Sequence, residues 1–131
     1  MKRSFSIMSF IIVIIFSISL LTSCSSDKQQ EKFTVYFGLN DATTGNQILT
    51  LDEAKKQLRT LFIKEGIGYT EYVAYGAYTE KGEVKGNDTL IYEFYFVKKT
   101  DVTAVVSKAK KQLNLESVLI NEESSDYYFG E

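Results

Sequence analysis

The order of two periodic patterns along the chain constrains its fold more than any other feature. In residues 33–39 every second residue is apolar, which predicts a half-buried strand. Residues 69–79 are rich in Tyr and predict a second strand. Residues 89–97 predict a third strand, with Leu90, Tyr92, Phe94 and Phe96 on one face. A fourth is predicted at residues 117–121, continuing irregularly toward residues 127–129.

Two segments with apolar residues at helical spacing separate these strands. Thr50 and Glu53 predict a capping box at the start of the first helix, and Gly66 and Gly68 predict its end. Its apolar stripe consists of Leu51, Ala54, Leu58, Leu61 and Phe62. A cap at Thr100 or Asp101 is predicted for the second helix. Its stripe consists of Val102, Val105, Val106, Ala109 and Leu113.

The order βαββαβ predicts an α+β, ferredoxin-like fold. Because each strand–helix–strand unit crosses over right-handed, both helices should lie on one face of a four-stranded antiparallel sheet. The other face is then left uncovered. Residues 81–88, which contain Gly82 and Gly86, are predicted to connect the second and third strands as a hairpin loop.

The first 24 residues resemble the signal peptide and lipobox of a bacterial lipoprotein. Lys2 and Arg3 precede the nearly continuous apolar run of residues 7–21, which is shorter than the 20 or so residues that span a bilayer. Leu21-Thr22-Ser23-Cys24 follows, and it contains the chain's single cysteine. The resemblance implies lipidation of Cys24, with palmitate among its acyl chains, and anchoring to a membrane. An uncleaved anchor and an ordinary secretory signal are the alternatives.

This resemblance divides the chain into a signal peptide at 1–23, a lipidated Cys and flexible tether at 24–32, and one domain at 33–131. Loss of Lys2 and Arg3 with the signal peptide would leave 13 basic residues against 17 acidic ones. A mildly acidic chain of this kind argues against nucleic acid as a partner.

Short motifs in the domain resemble a bacterial family of unknown function that occurs in secreted proteins and lipoproteins. They are Phe-Thr-Val-Tyr-Phe-Gly at residues 33–38, Thr44-Gly45, and Gly76-Ala77-Tyr78. The resemblance implies the ferredoxin-like fold and brings no catalytic residue or cofactor with it.

The residue types present exclude several chemistries. The chain has no His, which removes Ser-His-Asp and Cys-His catalysis and most transition-metal sites. Gly82 and Gly86 do not have phosphate-binding spacing. The acidic residues near the C-terminus match no calcium-binding loop, so a solvated edge is expected there; they are Glu116, Glu122, Glu123, Asp126 and Glu131. We therefore expect no metal site and no cofactor.

Two strand carboxylates are the candidates for catalysis. Glu71 and Glu93 lie in strands that are hairpin neighbours, so they could share a face and act as an acid–base couple. The alternative is that both carboxylates point to solvent from the uncovered face, opposite Lys residues, and have no catalytic role.

Tyrosines give the stronger indication of a binding surface. Tyr72, Tyr75, Tyr78 and Tyr95 join Glu71 and Glu93 as candidate binding residues, because an uncovered sheet face rich in Tyr suits a ligand or a partner. Tyr69, Tyr72, Tyr75 and Tyr78 recur every three residues, so in a strand they cannot all share one face.

The sequence thus favours a non-enzymatic binding or assembly module, tethered through Cys24 to the cell membrane, or to an outer membrane, and facing away from the cytoplasm. A second copy or a protein of the cell envelope would be its partner. The alternatives are a small enzyme that uses carboxylates and Tyr, or a ligand-binding sensor domain.

Overall fold

The computed structural model describes residues 30–126, which form a four-stranded antiparallel sheet and two helices. The elements are β1 (Gln30–Gly38), α1 (Leu51–Lys64), β2 (Thr70–Glu80), β3 (Glu83–Tyr95), α2 (Lys99–Gln112) and β4 (Val118–Ser125). The sheet order is β2-β3-β1-β4, so each helix connects strands that are not neighbours. The predicted α+β, ferredoxin-like fold is confirmed.

The core lies between the two helices and one face of the sheet. Phe33, Val35 and Phe37 of β1 are almost completely buried. The buried residues of the other elements, together with Leu113 at the C-cap of α2, are Ala54, Leu58, Leu61, Phe62, Leu90, Tyr92, Phe94, Val102, Val105, Val106 and Ala109. Burial alternates along β3 from Leu90 to Tyr95, and the buried residues of both helices belong to the same core cluster as those of β3, so both helices cover the same face, as the apolar stripes predict.

Local signals in the sequence fix the ends of α1. Thr50 is the N-cap, and its side chain and that of Glu53 form the predicted capping box. At the other end Gly66 has a φ of +69°, and the Ile67 and Gly66 amides donate to the carbonyls of Phe62 and Ile63. This pair of hydrogen bonds is a Schellman motif, which satisfies carbonyls that the helix leaves unpaired.

Helix α2 starts earlier than the sequence predicts. Its N-cap is Lys98, which makes no side-chain capping hydrogen bond, so the predicted cap at Thr100 or Asp101 is wrong. Both residues lie inside the first turn, where the negative charge of Asp101 interacts favourably with the positive end of the helix dipole. Asn114, with a φ of 50°, ends the helix in a second Schellman motif.

The connection between β2 and β3 is much shorter than the predicted loop. Lys81 and Gly82 both have positive φ and form a two-residue turn, and Glu80 pairs directly with Glu83. Residues 83–88 belong to β3, although the glycine at 86 suggested otherwise. The absence of a side chain at Gly86 leaves room for the ring of Tyr75. A Cβ atom at residue 86 would be 2.0 Å from the Tyr75 hydroxyl.

Phe96 is not a core residue, which corrects the prediction from its alternation with Tyr92 and Phe94. β3 ends at Tyr95, and Phe96 has a φ of 59° and a side chain that is 56% exposed. The left-handed backbone conformation breaks the two-residue period of the strand and turns the side chain out of the sheet.

Strands β1 and β4 extend further than the sequence predicts. Gln30 pairs with Ser125, so β1 takes in three residues assigned to the tether. Because these three residues are polar, the sequence has no apolar alternation there, and only the pairing with β4 shows that they belong to a strand. The predicted continuation at 127–129 lies outside the described residues, as do the signal peptide and Cys24. Within residues 30–126 no helix has the length and apolar character needed to cross a membrane.

Candidate functional site

A groove of about 780 Å³ lies on the sheet face that the helices leave uncovered. It lies where β1 ends and β4 begins, at the opposite end of β1 from Gln30. Its side chains come from all four strands and from the segment before β4. The lining residues include Tyr36, Gly38, Gly76, Tyr78, Glu80, Asn87, Thr89, Ile91, Glu116 and Leu119.

Two glycines make room for a polar side chain at the base of the groove. A Cβ atom at Gly38 would be 2.9 Å from the Asn87 amide nitrogen, closer than real Cβ contacts. A Cβ atom at Gly76 would be 3.4 Å from the Asn87 amide oxygen and 3.2 Å from the Thr89 hydroxyl. Asn87 therefore lies between two positions without side chains, with both ends of its amide beside the groove.

Aromatic and aliphatic side chains form the rest of the lining. Tyr36 and Ile91 lie opposite each other on β1 and β3. Tyr78 is 45% exposed and Leu119 is 63% exposed, so apolar surface is available on both sides of the groove. Such a mixture of apolar walls and a few polar groups is typical of small-molecule sites.

Two carboxylates, those of Glu80 and Glu116, line the groove, and the Lys85 ammonium group lies beside it. Lys85 forms an ion pair with Glu80. The pKa of Lys85 is raised, chiefly by its hydrogen bond to Glu80, and the negative charge of Glu116 contributes. One cation is therefore shared between two carboxylates, and the local charge is negative.

A separate polar cluster occupies the other end of the uncovered face. The Glu93 carboxylate lies 2.6 Å from the Lys32 ammonium group and accepts hydrogen bonds from the hydroxyls of Tyr95 (2.9 Å) and Tyr72 (3.2 Å). The hydrogen bond to Lys32 is the main cause of a lowered pKa at Glu93. This carboxylate is held ionised, so it is unsuited to act as a general acid.

Glu71 belongs to a different cluster, on the helix-covered face. Arg59 of α1 donates to both carboxylate oxygens, at 2.9 and 2.6 Å, and the Tyr92 hydroxyl donates at 2.8 Å. The Arg59 hydrogen bonds lower the pKa of Glu71 against the opposing effect of burial. Burial, followed by the hydrogen bond to Glu71, raises the pKa of Tyr92 well above its ordinary range. The cluster ties α1 to the sheet.

The two candidate catalytic carboxylates therefore lie on opposite faces of the sheet. Glu71 pairs with Tyr92, and Glu93 pairs with Thr70, so the register separates them by one residue. Since successive side chains in a strand point to opposite faces, the hypothesis of an acid–base couple is wrong.

The candidate tyrosines are divided in the same way. Tyr72, Tyr78 and Tyr95 lie on the uncovered face, whereas Tyr75 lies on the other face over Gly86. Only Tyr78 lines the groove with its side chain on the uncovered face, because Tyr72 and Tyr95 belong to the Glu93 cluster. The base residues Gly38, Gly76 and Asn87 were missed by sequence reasoning, which had no register to place them side by side.

No group of three or more acidic, Cys or His side chains in residues 30–126 is arranged to hold a metal ion. Glu122, for example, forms an ion pair with Lys99. Glu131 lies outside the described residues.

Comparison with known proteins supports the fold and identifies no family. No protein-family model and no curated protein sequence matches the chain. Among solved structures, a phage SAM lyase in complex with S-methyl-5'-thioadenosine is similar, with a TM-score of 0.54, 17% identity, and coverage of 73% of this chain and 81% of that one.

Two proteins of another kind have comparable similarity. The periplasmic divalent cation tolerance protein CutA from Archaeoglobus fulgidus has a TM-score of 0.52 at 10% identity, covering 76% of this chain and 87% of that one. CutA1 from Oryza sativa has a TM-score of 0.51 at 13% identity, covering 76% and 84%. At these identities the likeness is one of architecture: the chain shares the ferredoxin-like fold of these proteins.

Proposed function

We propose that this protein is a lipid-anchored, extracytoplasmic binding module whose ligand occupies the groove on the uncovered sheet face. The anchor is the lipid on Cys24 that the sequence Leu21-Thr22-Ser23-Cys24 implies. The observation that carries the binding function is the groove itself, because it combines a ligand-sized volume, apolar walls and an amide at its base.

The position of the groove relative to the start of β1 supports this function. Cys24 is six residues before Gln30, so even a fully extended chain holds the start of β1 within about 20 Å of the membrane. β1 is nine residues long and carries the groove at its far end, roughly 25–30 Å further along. The groove therefore lies at the end of β1 that is farther from the anchor along the chain.

The separation of Glu71 from Glu93 favours binding over catalysis. The enzyme alternative required two carboxylates that share a site, and these two lie on opposite faces. Each is instead held ionised by a basic partner, Arg59 or Lys32.

The anchoring part is tested by metabolic labelling with a clickable fatty acid in the source bacterium. The wild-type protein should be labelled, and Cys24→Ser should abolish the label without unfolding the domain, since no disulfide is lost. Label that persists on Cys24→Ser would reject the lipid anchor.

The binding part is tested by NMR of the full chain, using a collection of small neutral and charged fragments. Shift changes that cluster at Tyr36, Asn87 and Leu119 would support a ligand site in the groove. Fragments that bind only elsewhere on the domain, or none that bind, would argue against it. Gly76→Val adds a β-branched side chain at the base of the groove and should remove binding. Gly68 lies outside the groove, so Gly68→Val serves as the control.

A further inference from the structure

We infer that the ligand of the groove is a small organic cation that carries a planar ring. This inference rests on the proposed binding function and adds the chemical class of the ligand.

The dimensions and walls of the groove suit a ring. A volume of about 780 Å³ lies within the range of small-molecule sites, roughly 300–1,000 Å³. Tyr36 and Tyr78 offer aromatic faces, and Ile91 and Leu119 offer aliphatic surface. A planar ring can stack on the former and displace water from the latter.

The charges favour a cation. Glu80 and Glu116 line the groove, and no Lys or Arg is among its lining residues. The nearby Lys85 is paired with Glu80 and also feels the charge of Glu116, so the two carboxylates share a single positive charge. An anionic ligand would meet a net negative charge, whereas an ammonium group would be attracted to this charge and to the tyrosine faces.

Asn87 supplies a directional polar contact. Within residues 30–126 its side-chain amide has no hydrogen-bonding partner, although both of its ends lie beside the groove. The amide oxygen can accept from an ammonium or ring N–H group, and the amide nitrogen can donate to a ring acceptor. A ligand with both kinds of group would satisfy this side chain.

The proposal is tested with three probes that share an indole ring and differ in charge: tryptamine, tryptophol and indole-3-acetate. Binding to the ¹⁵N-labelled full chain in phosphatidylcholine nanodiscs is followed from the amide shifts of groove residues. We expect tryptamine to bind about fivefold more tightly than tryptophol at low salt, and indole-3-acetate to bind most weakly.

Two single-carboxylate variants assign the charge preference to the groove. Glu116→Gln should reduce the difference between tryptamine and tryptophol to within about twofold. Glu123→Gln makes the same change in net charge but lies on β4 outside the groove, so it should keep the wild-type preference.

The outcomes separate this inference from the proposed function. If all three probes shift the groove residues with equal affinity, or indole-3-acetate binds most tightly, the groove is a binding site but its ligand is not a cation. If the preference survives in Glu116→Gln, the charge argument fails. If no probe shifts the groove residues while the same spectra show a folded domain, both the ligand class and the binding function of the groove are rejected.

Discussion

The Tyr92 hydroxyl donates a 2.8 Å hydrogen bond to the Glu71 carboxylate from a side chain that is otherwise enclosed by aromatic rings. The Tyr92 ring meets Phe62 edge-on at 4.8 Å and Tyr69 at 5.3 Å. The residue therefore joins the apolar core to the Arg59–Glu71 ion pair.

Truncation of Tyr92 should separate these two contributions. Tyr92→Phe keeps the ring and leaves Glu71 paired with Arg59, so it should lower the free energy of unfolding by about 1 kcal/mol. Tyr92→Ala also creates a cavity and should lower it by about 3–5 kcal/mol. Urea melts of both variants measure the difference. Equal losses would mean that the hydrogen bond, and not the ring, dominates.

Stability should fall in acid because of Glu71. Folding lowers the pKa of this carboxyl, chiefly through the hydrogen bonds from Arg59, so the native state binds a proton less readily than the unfolded state. The stabilisation is complete above the unfolded pKa of about 4.3 and is lost as the pH falls through the lower folded pKa.

The test compares Glu71→Gln with the wild type in urea melts between pH 7 and pH 3. The wild type should be more stable at pH 7, and the difference should shrink below about pH 4.3. Glu83→Gln, at the exposed start of β3, is the matched control and should not change the pH profile in this way. A difference that stays constant to pH 3 would contradict the role of Glu71.

The turn between β2 and β3 offers a stabilising change. Lys81 has a φ of 51°, a conformation that an ordinary side chain tolerates poorly, and Gly82 follows it. Asn-Gly is the preferred pair for such a turn, so Lys81→Asn should raise the free energy of unfolding by about 0.5–1 kcal/mol. Thermal unfolding monitored by circular dichroism checks this. A destabilised variant would indicate that the Lys81 side chain has a role that the turn geometry does not explain.

Local signals in the sequence were sufficient for the fold. The capping box at Thr50, the stop at Gly66 and the two apolar stripes each depend on residues within a few positions, so they can be recognised without knowing the partners. Lys98 could not be identified as an N-cap, because no side chain there makes the expected hydrogen bond. Phe96 was misplaced because alternation alone cannot detect a change to positive φ.

The site depends on strand register, which the sequence did not determine. Shifting the pairing of β2 and β3 by one residue would place Glu71 and Glu93 on one face, and the two-residue turn at Lys81 and Gly82 fixes the pairing that separates them. The same register brings Gly76 opposite Asn87 and thereby forms the base of the groove. Because residues 81–88 were interpreted as a loop, the sequence could predict neither relationship.

The end of α1 provides a test of backbone conformation free of packing effects. Gly66 has a φ of +69°, and apart from its two neighbours in the chain no residue has an atom within 4 Å of the position that its Cβ would occupy. Gly66→Ala should therefore lower the free energy of unfolding by about 1–2 kcal/mol, from the cost of the left-handed conformation alone.

Gly68 also has open space around its Cβ position but does not have a positive φ. Gly68→Ala should thus be neutral or slightly stabilising, because alanine reduces the freedom of the unfolded chain. Urea melts of the two variants in parallel make the comparison, and equal effects would show that the Schellman geometry at Gly66 is not what ends the helix.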